Sequence, residues 1–209
     1  MMDILRTFLI GLLFLASNQA MAVPTSTTSS FYVDWSGVAH FNEAEAHGWL
    51  TVYNDEGSKF SNSADDAWLF PFEDVVDFSV TITGASSGNG TFGLTDFDFF
   101  IWSTKTTAEW PLDLAHELVN QATTGGPWSS NHSIDASGGE FNLFANLLLN
   151  PAAPNSNGAA FQIATNGGNG DILNLTSFRP VPIPAAFWLF GSALLGLSRI
   201  GFKRQAQLT

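Results

Sequence analysis

Three side chains early in the chain are of types that hold a metal. His40, Glu43 and His47 lie in the run AHFNEAEAH, and imidazole and carboxylate ligands sharing one helix face can bind zinc. Their spacing matches neither helical metalloprotease motif, and the residues around them alternate as a strand does. In a strand His40 and His47 point to opposite faces, which separates the pair. Carboxylates are the second candidate. Asp96 and Asp98 flank Phe97, while Asp65-Asp66 and Glu73, Asp74 and Asp77 bracket an aromatic stretch. Carboxylate pairs serve glycosidases as acid and base, and they are the ligands calcium prefers. Either use depends on pairing across strands, and no D-x-D-x-D-G loop is present. Structural calcium stays open, and no catalytic, cofactor-binding or metal-ligating residue is assigned.

Tryptophan is the third candidate. Trp35, Trp49, Trp68, Trp102, Trp110 and Trp128 lie in the middle of the chain among many Phe. Exposed indole faces stack on sugar rings, and buried ones fill a core; most of these sit in apolar strands, which favours the core. No G-x-S-x-G turn and no recognisable His triad context occur. Gly88-Asn89-Gly90 and Asn166 to Gly170 lack the Lys and helix that a phosphate loop needs.

The elements that must position these residues are strands. Val76, Phe78, Val80 and Ile82 alternate with Asp77, Ser79, Thr81 and Thr83, a half-buried strand. Trp49, Thr51 and Tyr53 alternate with Leu50 and Val52 in the same way. Phe92 and Leu94 share a face, but the apolar register then jumps to Phe97, Phe99 and Ile101, which predicts a bulge or tight corner at Thr95-Asp96. Phe161 and Ile163, then Leu173 and Leu175, continue the pattern. Turn clusters at Gly84 to Gly90, Gly125-Gly126-Pro127, Ser137-Gly138-Gly139, Pro151 to Gly158 and Asn166 to Gly170 punctuate the runs. Short strands with such turns predict a mostly β domain, a sandwich or jelly roll. Leu112 to Asn120 and Phe141 to Leu149 fit short helices about as well as any alternative.

The composition narrows the function classes. Among 209 residues there are 7 basic and 19 acidic side chains, a net charge of -12, and no cysteine. There is thus no disulfide scaffold, thiol nucleophile or cysteine-ligated metal, and no basic surface for nucleic acid. A hydrophobic content of 45% separates the chain from disordered tails.

Both ends carry addressing signals. Met1 to Ala22 has Arg6, an apolar run from Phe8 to Ala16, and Ala20-Met21-Ala22, the small-x-small arrangement of a cleaved signal peptide. Cleavage after Ala22 would leave a mature chain starting at Val23. At the other end Val181 to Leu197 reads VPIPAAFWLFGSALLGL, and Arg199, Lys203 and Arg204 follow. A membrane-spanning helix needs about 20 apolar residues, so this span reaches full length only by running through Arg199 to Phe202. The basic stop predicts a cytoplasmic C-terminus with the bulk of the chain exported. Pro182 and Pro184 fit an extended approach to the membrane. The expected organisation is a signal peptide over 1–22, a β-rich domain over 23–180, and a motif, transmembrane helix and basic tail over 181–209.

The stretch Val181-Pro182-Ile183-Pro184-Ala185-Ala186, followed by Phe187-Trp188-Leu189-Phe190-Gly191-Ser192-Ala193-Leu194-Leu195-Gly196-Leu197, closely resembles the VPLPA variant of the PEP-CTERM sorting signal. Ile183 stands where Leu is usual, and Ser198-Arg199 interrupts a stretch that is normally apolar. The resemblance implies a Gram-negative host and an exosortase, a membrane enzyme that would cut near the motif and release or transfer the protein. The middle is similar to bodies that carry this tail, through Gly48 to Asp55, Gly88 to Phe97, and Phe178 just before the motif. Tail and body together imply a non-enzymatic cell-surface or extracellular-matrix protein of structural or adhesive type. Such a protein would be exported by the general secretory route and pass through the inner membrane, with an exosortase and exopolysaccharide as partners. A plain C-terminal anchor would have the same topology. The alternative functions are a secreted carbohydrate-binding module and, behind it, a secreted hydrolase.

Overall fold

The structure is a computed structural model that describes residues 28–53, 68–70, 74–104, 112–130, 132 and 138–181. The signal-cleavage residues Ala20 and Ala22, the motif residues Pro182, Ile183 and Pro184, and the basic stop Arg199, Lys203 and Arg204 lie outside the described residues. So do Asp65, Asp66, Glu73 and Trp110. Among the described residues no helix is long and apolar enough to cross a membrane.

The described chain is mostly β and antiparallel. Strands β1 (Thr28–Ser36), β2 (Glu45–Tyr53), β4 (Val75–Thr83), β5 (Gly90–Gly93), β10 (Gln162–Ala164) and β11 (Ile172–Pro180) form a sheet in the order β10-β11-β1-β2-β4-β5. A second sheet has the order β3-β6-β9, from β3 (Trp68–Phe70), β6 (Phe97–Ser103) and β9 (Glu140–Ala145). A small hairpin joins β7 (Ala122–Thr123) to β8 (Gly126–Pro127). Alternation explains the long strands: Phe31, Val33 and Trp35 of β1 and Leu50 and Val52 of β2 are buried, while Tyr32, Asp34, His47 and Trp49 point the other way.

Aromatic rings fill the space between the sheets. Phe78 of β4 lies 4.8 Å from Phe100 of β6, and Trp35 of β1 stacks on Phe141 of β9 at 6.1 Å. Phe178 of β11 reaches Trp102 of β6 at 5.4 Å and Trp128 at 5.5 Å. Burying a side chain of this size removes apolar surface worth roughly 1.5–3 kcal/mol, so this layer dominates the stability.

The register jump predicted at Thr95-Asp96 is a 3-10 turn, Leu94–Asp96, that takes the chain from β5 in one sheet to β6 in the other. Asp96 locks this corner: its Oδ2 accepts from the Gly93 N–H at 2.8 Å, and its Oδ1 from Asn150 Nδ2 at 3.0 Å. Three expectations need correcting. Val76 does not share the buried face of Phe78, Val80 and Ile82. A bulge opposite Thr51/Val52 pairs Val52 with Val75 and leaves Val76 exposed. Phe141 to Leu149 is not a helix, because Phe141–Ala145 pairs with β6 and only the residues after it turn. Leu112 to Asn120 is irregular, held to β11 by Leu118 N–H donating to Phe178 O at 2.9 Å.

Both ends of the described chain leave from one end of the large sheet. Thr28 pairs with Tyr53, Phe31 pairs with Pro180, and the Val181 N–H donates to Ser30 O at 2.8 Å. At the opposite end the turns after β1, β4 and β10 meet. A Cβ on Gly84 would collide with Glu43 O, and one on Gly88 with Asn166 N. Asn166 (φ 51°) and Gly167 (φ 68°) make a left-handed turn there. The loop after β9 joins them, since a Cβ on Gly167 would meet Pro151 O at 2.7 Å and Leu147 Cδ2 at 3.3 Å.

Candidate functional site

The two histidines of the candidate zinc run part company. His40 ends a 3-10 turn (Val38–His40), and its Nε2 lies 2.9 Å from Asn174 Oδ1. That oxygen also accepts from Gln162 Nε2 at 2.8 Å, so His40 Nε2 carries the hydrogen. His47 stands on the outward face of β2, with Nδ1 2.9 Å from Asp34 Oδ1 and Nε2 3.6 Å from Glu45 Oε2. Glu43 is exposed in the turn between them. Among the described residues no group of three or more His, Asp or Glu side chains gathers as metal ligands. Asp96 is engaged in the corner described above, and Asp98 is exposed on β6.

The tryptophans divide in the same way. Trp35, Trp102 and Trp128 are fully buried, and Trp128 Nε1 donates to Ser103 O at 3.0 Å. Trp49 alone of the four described indoles stands on the outer face of the large sheet, half-buried. The side chain of Trp68 lies outside the described residues.

What the fold assembles around Trp49 is a row across four strands. Register sets Arg179 of β11 opposite Tyr32 of β1, Tyr32 opposite Trp49 of β2, and Trp49 opposite Ser79 of β4. Tyr32 and Trp49 meet edge to face with centroids 5.2 Å apart at 80°. The Arg179 guanidinium lies 5.5 Å from the Tyr32 ring centroid, a cation–π contact. It also donates to Asp34 Oδ2 at 2.6 Å and to Ser177 Oγ at 2.8 Å. Trp49 Nε1 donates to Thr51 Oγ1 at 3.0 Å, and Thr51 in turn shares a 2.9 Å bond with Ser30 Oγ. Tyr32, Asp34 and Arg179 belong to no local motif that marks them in the sequence. The alternation Phe31-Tyr32-Val33-Asp34-Trp35 was the available signal, but the pairing of residues so far apart in the chain was not in it.

The loop end presents a different surface. Phe41 is fully exposed in a left-handed conformation (φ 58°), Val38 three residues before it is exposed too, and Leu148 and Leu149 are exposed after β9.

One buried polar group stands out. His132 Nε2 has no hydrogen-bond partner, and its ring meets the edge of Phe161 at 6.3 Å. Burial pushes its imidazole pKa down; the Leu175 backbone opposes that shift, and the neighbouring His40 adds to it. A base with a lowered folded pKa binds fewer protons folded than unfolded. Its penalty therefore begins as pH falls through the unfolded value of about 6.5 and grows until the folded form is protonated too. The thermal midpoint is expected to drop between pH 7.5 and 5.5, and His132→Asn to flatten that slope. An unchanged slope in the variant would assign it to other groups. Asp113 and Asp171 act in a lower window. Backbone N–H donors, from Ala115 and Ser86 respectively, hold these exposed carboxyls below the ordinary 3.8, so their contribution is lost only as pH falls below that value.

Comparison with protein-family models, with curated proteins and with solved structures finds no match to this chain.

Proposed function

We propose that this chain is an exported cell-surface or extracellular-matrix protein of structural or adhesive type, with a β-sandwich or jelly-roll body and no enzymatic role. A signal peptide over 1–22 sends it through the general secretory route. The C-terminal helix holds it in the inner membrane with the C-terminus cytoplasmic. An exosortase then acts at Val181-Pro182-Ile183-Pro184, with Arg199, Lys203 and Arg204 as the basic stop. The observation that carries this reading is the tail itself, a proline motif, an apolar run and a basic end in immediate succession.

The position of the chain ends supports it. Val181 is bonded to Ser30 at the end of β11, so the motif follows the domain without a linker, and the loop end lies at the far side of the sheet. A protein tethered by such a tail would present Phe41 and Leu148 away from the membrane. Fractionation of the native host tests the reading: a tail-bearing precursor is expected in the inner membrane and a shorter product outside it. A single full-length species confined to the inner membrane would contradict sorting.

The second reading, a carbohydrate-binding module, is favoured by Trp49 and Tyr32 on one sheet face. Trp35, Trp102 and Trp128 are buried, which leaves Trp49 as the one indole among the described side chains that stands where it could stack on a sugar.

A further inference from the structure

We propose that the outer face of the large sheet, along the row Arg179–Tyr32–Trp49–Ser79, is a docking surface for a neutral polysaccharide chain. The inference supplies a partner for the adhesive reading above and rests on it. A pyranose ring has C–H faces that are apolar and a rim of hydroxyls that must keep hydrogen bonds when water is displaced. A surface that holds it therefore needs aromatic area beside donors and acceptors. This row has both. Strand spacing of about 4.8 Å places its ends roughly 14 Å apart, enough for several sugar units laid across the strands.

The side chains are fixed before any ligand arrives. Trp49 is tied to Thr51 and packed against Tyr32. Arg179 is held by Asp34, Ser177 and the Tyr32 ring. Binding then costs little side-chain entropy, and aromatic rings with two torsions lose the least. Tyr32 is 39% exposed although it lies in the middle of the sheet, between β11 and β2. Thr81 and Thr91 extend the hydroxyl supply towards the sheet edge, sharing a 2.8 Å bond.

Charge selects the class of polymer. Arg179 is the only Lys or Arg among the described residues, and it is paired with Asp34. Glu45 and Asp77 are exposed on the same face, and the whole chain carries -12. A uronate polymer, a nucleic acid or an anionic lipid surface would be repelled, whereas a neutral glycan meets carboxylates and hydroxyls as acceptors for its own O–H groups.

The test is affinity gel electrophoresis of the full chain in a polyoxyethylene detergent. The gels contain hydroxyethylcellulose, galactomannan or dextran, with alginate as the anionic comparison. At least one neutral polymer is expected to retard the protein. Trp49→Ala and Tyr32→Ala should each weaken that retardation at least tenfold, while Leu148→Ala at the loop end should leave it unchanged. Tyr32 is exposed and Trp49 half-buried on the outer face, neither in the core between the sheets, so the variants are expected to fold, which circular dichroism checks. Trp49→Phe, which keeps a ring, should retain part of the binding. The proposal is overturned by no retardation in any neutral polymer, by retardation that survives both alanine variants, by retardation in alginate alone, or by concentration-dependent dimerisation that Trp49→Ala abolishes. If binding fails while the host still yields a tail-free exterior product, the glycan face is wrong and the sorting reading stands.

Discussion

Phe178→Ala is expected to remove a large fraction of the stability of the domain. Phe178 is fully buried, and four rings surround it: Phe31 at 5.1 Å, Phe141 at 5.1 Å, Trp102 at 5.4 Å and Trp128 at 5.5 Å. Phe31 belongs to the large sheet, and Trp102 and Phe141 to the small one, so the ring is the contact through which the sheets adhere near β11. Aromatic neighbours of this size cannot collapse into the vacated space, which places the cost at about 3–5 kcal/mol. Domains of this size have about 5–15 kcal/mol in total. With a urea slope of about 1–3 kcal/mol per molar, the unfolding midpoint should fall by at least about 1 M. A shift below about 0.3 M would mean that the layer between the sheets is not the core; that threshold is at most about one buried methylene on the same slope.

Gly139→Ala should be the most damaging of the glycine substitutions near the core, for two separable reasons. The backbone sits at φ 100°, which L side chains rarely adopt, and an added Cβ would meet Ser103 O at 2.6 Å and Trp128 Cδ1 at 2.7 Å. Both contacted groups belong to the hydrogen bond from Trp128 Nε1 to Ser103 O, so the methyl group pushes a buried indole off its acceptor. Backbone strain costs about 1–3 kcal/mol, and overpacking of a close-packed site about as much again. Gly158 separates the two contributions. Its φ is 90°, yet nothing lies within 4 Å of its Cβ position, so Gly158→Ala should show the strain alone. The two thermal midpoints, read with tryptophan emission, are expected to differ, with an emission shift only in Gly139→Ala. Equal losses with no shift would show that Trp128 does not depend on the close approach.

Alternation made the long strands legible. Leu50 and Val52 against Trp49 and Thr51 show which face is buried because a strand has a period of two, and nothing distant need be known. The corner at Thr95-Asp96 was legible for the same reason, since a phase slip in the apolar pattern requires a break in the backbone. The bulge at Val76 was not, because the exchange with Val75 is set by the partner strand at Thr51/Val52. Phe141 to Leu149 misled because its apolar residues fit both periods. Pairing with β6 decided the first part, and Asn146 ended it by donating its N–H to Asp96 O at 2.8 Å.

The surface row was the least legible feature. Arg179, Tyr32 and Trp49 come together only through the pairing of β1 with both β2 and β11. No local pattern announces that closure between the two ends of the domain. His40 and His47 show the converse, since they lie close in sequence and the chain places one in a 3-10 turn and the other on the open face of β2. The proposed tail signals rest on local sequence alone and need no tertiary structure to be read.

The central claim, export followed by processing at the proline motif, is tested most directly by intact mass and terminal peptide mapping of the protein from surface, medium and inner-membrane fractions of its native host. The account predicts an exterior species that begins near Val23 and ends near Pro184, or a heavier form of it modified at that end. A species retaining the sequence through Thr209, found only in the inner membrane, would contradict it and leave a β domain on a permanent single-span anchor.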